Sequence, residues 1–368
     1  MRIGIIGAGQ LGQMLGFAAR DLGAECRFVD PGESPPAAVC GDVIRRPFDD
    51  EEALAELAAT CDIITYEFEN VPVEALHAIE GQVPIYPPAV ALRHSQDRLD
   101  EKRLFDRLEI PLPGYRAVDT REDLLDAIAS LGLPLVVKTR RLGYDGKGQF
   151  VVRDAGQVDA AWEALGDTAL IAEAWVPFDY EVSCIGARNV DGDIAIYPLS
   201  RNVHAAGILR TSRSPVDAPA LAAKAEDYVR RLLEHLDYVG VLALELFVCG
   251  DDLLANEIAP RVHNSGHWSI EGSETSQFEN HLRAIMNRPL GSTAARGHAG
   301  MVNLIGEIPP AARALEAGVL HDYGKSPRPG RKLGHITVTA ETATERDALL
   351  EKIAASVTDS TPATGTSP

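Results

Sequence analysis

The sequence lacks most features that mark a secreted, membrane-spanning or nucleic-acid-binding chain. No run of 18 apolar residues occurs anywhere in its 368 positions, so no segment has the length of a bilayer-crossing helix. Its five cysteines, Cys26, Cys40, Cys61, Cys184 and Cys249, form no CxxC pair and no zinc-type spacing, and they read as buried thiols of a reduced compartment. The opening Met1-Arg2-Ile3-Gly4-Ile5-Ile6 reads as a strand and has none of the basic region, long apolar core and cleavage site of a signal peptide, so a cytoplasmic protein is expected. Positive charge is scarce: 35 Lys and Arg face 54 Asp and Glu, a net charge of −19, which argues against a nucleic-acid partner because a phosphate backbone needs a cationic face. There is no GxxxxGK[ST] loop and no HExxH pair. Any phosphorylated ligand must therefore be met locally, by individual Arg and Lys side chains and helix N-termini.

What is present is a long chain, 45% hydrophobic by count, enough for two or three units that each bury a core. Residues 1–95 alternate short apolar strands with helical stretches, the pattern of an α/β doubly wound parallel sheet. Pro84, Pro87 and Pro88 punctuate a boundary there. Residues 96–290 follow, containing a smaller α+β unit over about 110–190, and then a further segment over 291–355. The tail from 356, ending Thr361-Pro362-Ala363-Thr364-Gly365-Thr366-Ser367-Pro368, is too polar and Pro/Gly-rich to pack and is expected to be disordered.

The densest chemistry lies in Asn256-Glu257-Ile258-Ala259-Pro260-Arg261-Val262-His263-Asn264-Ser265-Gly266-His267, with Glu245 on the apolar strand before it. Glu245 and Glu257 each interrupt an apolar strand, where a carboxylate is costly unless paired or metal-bound. Oxygen donors so placed suit Mg²⁺ held between protein and nucleotide phosphates, the alternative being a structural salt bridge. Arg261, His263 and His267 are expected to meet an anion or a substrate. Gly7-Ala8-Gly9-Gln10-Leu11-Gly12 matches GxGxxG after a strand, with Asp30 ending the next strand. Such a turn holds a phosphate or merely permits tight packing. Glu67 and Glu69 follow another strand and read either as ligand acceptors or as helix caps. A second glycine loop, Gly143-Tyr144-Asp145-Gly146-Lys147-Gly148-Gln149, follows Lys138 and could bring backbone amides and two Lys to a triphosphate. Glu173 closes the next strand, where an adenine amine could be bound, and Glu181 begins another, within reach of a ribose. Lys325 and Arg328-Pro329-Gly330-Arg331-Lys332-Leu333-Gly334-His335 make a dense basic cluster in an acidic chain, suited to a phosphate or simply solvated.

Taken in order, Gly9 to Gly12, Gly143 to Gln149, Gly207-Ile208-Leu209-Arg210-Thr211-Ser212, Asn256 to Trp268 and Arg328 to His335 closely resemble the N5-carboxyaminoimidazole ribonucleotide synthetases, ATP-grasp enzymes of purine biosynthesis. The resemblance spans residues 1 to about 340. It implies a three-domain ATP-grasp fold with the N-terminal sheet as the pre-ATP-grasp domain, a homodimer, and carboxylation of 5-aminoimidazole ribonucleotide with ATP, Mg²⁺ and bicarbonate. By position, it assigns ATP to Arg98, Lys138, the loop Gly143, Tyr144, Asp145, Gly146, Lys147, Gly148 and Gln149, to Glu173, Ala174, Trp175 and Val176, and to Glu181, His204, Asn256 and Glu257. Mg²⁺ falls to Glu245 and Glu257. Bicarbonate and carboxyphosphate chemistry falls to Arg261, His263 and Asn264, with Tyr144 and Asp145 beside the ribonucleotide. The ribonucleotide itself falls to Gly9, Gln10, Leu11, Gly12, Glu67, Lys325, Arg331 and Lys332, the Gln10 to Gly12 turn serving as phosphate seat. Two rival readings are a nicotinamide oxidoreductase using Asp30 on a ribose and a related ATP-grasp enzyme that activates formate or an amino acid. A third is a non-catalytic nucleotide-binding subunit.

Overall fold

The computed structural model describes residues 1–143 and 148–358. The first segment runs β1 (Arg2–Ile6), α1 (Gln10–Asp21), β2 (Glu25–Val29), β3 (Gly41–Ile44), α2 (Glu51–Thr60), β4 (Ile63–Tyr66), α3 (Val73–His77), α4 (Ala89–Gln96) and α5 (Arg98–Arg107). Its strands pair in parallel in the order β3-β2-β1-β4. Both faces are covered: Ile3 and Ile5 enter one core, while Ile6 and Ile64 enter another on the opposite side. That two-sided burial is why the strands read as continuous apolar runs. Helix α2 starts where Asp50 accepts a hydrogen bond from the Ala53 N–H, with Glu51 and Glu52 at the positive end of the helix dipole.

The second segment comprises β5 (Tyr115–Val118), α6 (Arg121–Leu131), β6 (Leu135–Thr139), β7 (Gln149–Val152), α7 (Val158–Leu165) and β8 (Leu170–Ala174). Its strands form a small sheet in the order β5-β8-β6-β7. A capping box between Thr120 and Asp123 starts α6, and Gly132, at φ 79°, ends it.

The rest is built on one large sheet: β9 (Tyr180–Arg188), β10 (Ile194–Ile196), β11 (Ser200–Ala205), β12 (Ile208–Ser214), α8 (Pro219–His235), β13 (Gly240–Cys249), β14 (Asp252–Ala259), α9 (Ser269–Gly272), α10 (Gln277–Ile285), β15 (His298–Ile305), α11 (Pro310–Arg313), β16 (Val319–Asp322), β17 (Lys332–Ala340) and α12 (Ala343–Thr358). The strand order is β14-β13-β9-β11-β12-β15-β17-β16, with β10 beside β9. Helix α8 buries Leu221, Ala225, Tyr228, Val229, Leu232 and Leu233, a stripe at helical spacing that covers β9 and β13. The segment from 291, read from sequence as a separate unit, has its own core of Val302, Leu304, Ile336, Val338, Leu350 and Ile353. Its strands nevertheless extend the sheet of the preceding segment, because β15 pairs with β12.

Two sequence expectations need correction. The tail does not begin at 356, since α12 continues through Thr358; residues 359–368 lie outside the described residues. Nor are all five thiols buried: Cys26, Cys61 and Cys184 are, whereas Cys40 and Cys249 are partly exposed. Among the described residues no helix is long and apolar enough to cross a membrane.

Leu232→Ala should lower unfolding free energy by about 2–5 kcal/mol, the cost of removing a leucine side chain and leaving a cavity in a fully packed core. Urea denaturation checks this; an unchanged midpoint would mean that α8 is not integral to the core.

Candidate active site

Strands β13 and β14 are antiparallel, and Glu245 stands opposite Glu257. Two like charges in facing positions repel, so each carboxylate needs a partner. Glu257 has Arg98, from the start of α5, with Nη1 3.1 Å from Oε2. Burial pushes the Glu257 carboxyl up, but Arg98, Lys138 and Lys102 outweigh it and hold the group below the usual range. Glu245 has His263, with Nε2 3.2 Å from Oε1. Burial and the facing Glu257 raise Glu245 above the ordinary carboxylate range.

The tautomer of His263 follows from its neighbours. Ser183 Oγ donates to Ser265 Oγ at 2.6 Å, which leaves the Ser265 hydroxyl hydrogen for His263 Nδ1 at 2.8 Å. Nε2 therefore carries the proton and faces Glu245. Behind Ser183 the chain continues: Asn202 Nδ2 donates to Ser183 Oγ, and Ser212 Oγ donates to Asn202 Oδ1. Burial and the Arg261 charge hold His263 well below its ordinary pKa, so the ring is neutral.

On the side of the small sheet, Lys138 Nζ lies 2.8 Å and Lys102 Nζ 3.8 Å from Glu173 Oε2. Burial opposes ionisation of Glu173, yet the two ammonium groups win and hold its carboxyl down at about 2. The other oxygen, Oε1, is buried with no hydrogen-bond partner among the described residues. Just beyond β8, Trp175 is exposed, as is Phe178, whose ring stacks on Phe247 of β13 at 4.8 Å. Across this opening, Glu181 Oε2 is 2.7 Å from His204 Nδ1, a contact that helps raise the histidine against the opposing effect of burial.

Arg98 also donates to the Gly143 carbonyl at 3.3 Å, tying the first residue of the glycine loop to the Glu257 carboxylate. Tyr144, Asp145, Gly146 and Lys147 lie outside the described residues. At the far end of the loop, Gly148 adopts φ +70°, and a Cβ there would come within 2.6 Å of Thr139 Oγ1. Gln149 opens β7 opposite Lys138.

Several residues read as ligand contacts are engaged with the protein itself. Arg261 Nε bonds Glu69 at 2.5 Å and its Nη1 donates to the Val262 carbonyl. Asn264 and Asn303 of β15 exchange amide hydrogen bonds of 2.6 and 3.1 Å. His267 is not at the site: it is buried against Phe278, Gln277 and His335, and burial holds it neutral, so it offers no charge to an anion.

The first glycine turn is likewise filled from within. Glu67 accepts hydrogen bonds from the Gly9 N–H at 2.7 Å and the Gly12 N–H at 3.4 Å. A phosphate in that seat would meet a carboxylate, which corrects its reading as a bare anion nest. Asp30 accepts from the Ala8 and Gly32 N–H groups, one on each oxygen, and so braces the loop. Burial raises the Glu67 carboxyl, with Gly9 and Arg261 opposing. What joins this turn to the basic cluster is a side-chain hydrogen bond from Lys325 Nζ to Gln10 Oε1. Burial and the Arg331 charge bring Lys325 down to about 8. Arg331 Nη1 donates to the Ser326 carbonyl, and Lys332 begins β17 beside it.

Three family models match in order: a ribonucleotide synthetase preATP-grasp domain over residues 1–96, an ATP-grasp domain over 103–278 and a phosphoribosylaminoimidazole carboxylase C-terminal domain over 299–349. The N5-carboxyaminoimidazole ribonucleotide synthase of Pseudomonas aeruginosa is 50% identical over 340 residues, 92% of this chain and 94% of that protein. The chain belongs to the N5-carboxyaminoimidazole ribonucleotide synthetase family. The Bacillus subtilis synthase of this family is 40% identical over 343 residues, 91% of this chain and 90% of that one. The crystal structure of the Thermus thermophilus synthetase superposes with a TM-score of 0.93 at 50% identity, covering 99% of this chain and 100% of that one. The Aspergillus clavatus synthase, in complex with ADP and 5-aminoimidazole ribonucleotide, superposes with a TM-score of 0.90 at 32% identity, covering 97% and 98%.

Asn303, Ser183, Asn202, Ser265, Lys102 and Phe247 escaped the sequence reading. Asn303→Leu should cost about 1–3 kcal/mol, because the Asn264 amide loses its reciprocal partner in a largely buried place. Thermal or urea unfolding measures the loss, and a neutral effect would show that the amide pair carries no stability.

Proposed function

We propose that this protein carboxylates 5-aminoimidazole ribonucleotide on its exocyclic amine, using ATP and bicarbonate, to give N5-carboxyaminoimidazole ribonucleotide, ADP and phosphate in purine biosynthesis. The observation that carries this reading is the facing pair Glu245 and Glu257 beside Arg98 and Lys138, in a chain of this family. The proposed division is 1–95, 96–290 with a lid over about 110–190, and 291–355. A homodimer in the cytoplasm, without nucleic acid or membrane, completes the proposal.

In this reading the ATP phosphates meet Lys138, Arg98 and the Gly143 to Gln149 loop, the adenine meets Glu173 to Val176 and the Phe178–Phe247 stack, and Glu181 and His204 meet the ribose. Asn256 and Glu257 face the triphosphate. Glu245 and Glu257 fit Mg²⁺: they face each other, and Glu245 is raised by burial and by the Glu257 charge, a repulsion that a dication answers. Bound there, Mg²⁺ would supply charge neutralisation of the transferred phosphoryl group.

Bicarbonate is a weak electrophile. Its oxygen attacks the γ-phosphorus, the bond to ADP breaks, and carboxyphosphate results. Lys138 and Arg98 stabilise charge developing on the phosphoryl oxygens. His263, neutral and with its Nε2–H fixed by the Ser183–Ser265 chain, is set to donate to an oxygen anion beside Glu245, while Arg261, anchored by Glu69, orients the carboxyl group. The ribonucleotide amine then attacks the carboxyl carbon, with phosphate departing, or attacks carbon dioxide already released from it with phosphate, and the amine proton is lost, with Asp145 of the glycine loop as its proposed acceptor. Closure of that loop would exclude water from the anhydride. Lys325, Arg331 and Lys332 answer the ribonucleotide phosphate on the Gln10 side chain's side of the first glycine turn, whose Gly9 and Gly12 amides are already taken by Glu67.

The direct assay is ADP release in the presence of aminoimidazole ribonucleotide. Release that requires bicarbonate, and is not supported by formate or NAD⁺ in its place, supports the proposal; release driven by formate would replace it with the formate-activating reading. Glu257→Gln should abolish turnover while the circular dichroism spectrum and melting curve stay native, and near-full activity would remove the metal assignment. Lys325 is cationic below about pH 8 and neutral above it, so kcat/KM for the ribonucleotide should fall as pH rises through 8. Lys325→Met should lose that limb of the profile; an identical profile in the variant would detach Lys325 from the phosphate.

A further inference from the structure

Lys102 is fully buried, at 1% exposure, and among the described residues it is the one lysine in that state. A buried ammonium needs a reason. It lies on α5 between two groups of known partners. Arg98 binds the Glu257 carboxylate, Glu101 Oε1 accepts the Ile258 N–H at 2.7 Å, and Lys102 Nζ donates to the Asn256 carbonyl. Positions 98, 101 and 102 share one face of the helix, so three side chains reach three successive residues of β14.

Those three residues are where β14 departs from regular pairing. Glu245 pairs with Glu257 and Leu246 with Ala255, leaving Asn256 as the extra residue of a bulge. Alternation is reset at that point: Asn256 and Glu257 are both partly exposed, between buried Ala255 and buried Ile258. The bulge thus presents two consecutive side chains on the open face, and the carbonyl of its extra residue, Asn256, accepts from Lys102.

The same ammonium is 3.8 Å from Glu173 Oε2, at the end of β8, in the other sheet. Lys138 bonds that oxygen too, at 2.8 Å. Glu101 faces the same ammonium, although burial pushes its carboxyl up. Lys102 thus stands between two acidic groups, and Glu173 is answered without depending on Lys138 alone.

We propose that Lys102 is a positioning residue for the nucleotide: it locks the Asn256 bulge of β14 to the Glu173 end of β8, and by satisfying Glu173 it leaves Lys138 able to turn to the ATP phosphates. The inference rests on the assignment of Glu173, Asn256 and Glu257 to ATP given above. Without Lys102, Glu173 retains Lys138 and the bulge carbonyl loses its lysine donor, so the damage falls on ATP and spares the ribonucleotide end of the cleft.

The test compares K102M, K102Q, E173Q and the double variant K102M/E173Q in the full chain, with steady-state kinetics in ATP and in aminoimidazole ribonucleotide. K102M should raise KM for ATP tenfold or more while KM for the ribonucleotide stays within twofold. The double variant should lose less in ATP than the sum of the two single losses, because removing the Glu173 charge releases Lys138 and leaves only the bulge contact still to be lost. K102Q, which keeps a donor for the bulge carbonyl, should lie between wild type and K102M, and it carries the comparison if K102M does not fold. An ATP KM within twofold in the single lysine variants, an equal rise in ribonucleotide KM, additive losses in the double variant, or failure of both lysine variants to fold would each overturn the proposal. E173Q with an unchanged ATP KM would instead sink the assignment of Glu173 to the nucleotide.

Discussion

Glu245 and Glu257 face each other across two adjacent strands, and the surrounding structure is organised around that repulsion. In a low-dielectric setting two facing carboxylates do not both ionise unless positive charge is brought to them. The chain brings it unevenly. Arg98, Lys138 and Lys102 depress Glu257, whereas Glu245 has a neutral histidine and remains raised. The imbalance is produced by groups from α5, β6 and the segment after β14, none of which is adjacent to the others in sequence.

Polar chains hold the geometry where apolar packing would not. Ser212, Asn202, Ser183 and Ser265 form a buried relay that ends on His263 and sets which nitrogen bears its proton. Each member has a partner, and a network of this kind orients side chains more sharply than hydrophobic contact, because an unmet buried donor or acceptor is costly. Across the cleft, Glu67 braces the first glycine turn while Lys325 reaches Gln10 from the C-terminal segment. The first glycine turn is thus joined to the last part of the chain, while the facing carboxylates are met by groups from the middle.

Much of the architecture was legible in sequence because it depends on local periodicity. The α8 stripe, the apolar runs of β1, β2 and β4, and the Asp50 and Thr120 caps are written within a few residues of one another. Other readings failed where a residue's role is set from a distance. His267 looked like an anion ligand beside Arg261 and proved to be buried with His335. The GxGxxG turn looked vacant because the carboxylate that fills it comes from position 67. Lys102, in a heavily charged helix, carried no signal of its burial.

From the sequence alone came the motifs, their order, the two strand-borne carboxylates and the family they resemble, since each rests on residue identity at short spacing. Only the tertiary structure decided which groups partner which: Arg98 with Glu257, Asn264 with Asn303, Lys102 with a bulge 154 residues away. The physical reason is that charge pairing, tautomer choice and burial depend on distances through space, and those distances exist once the sheets have closed.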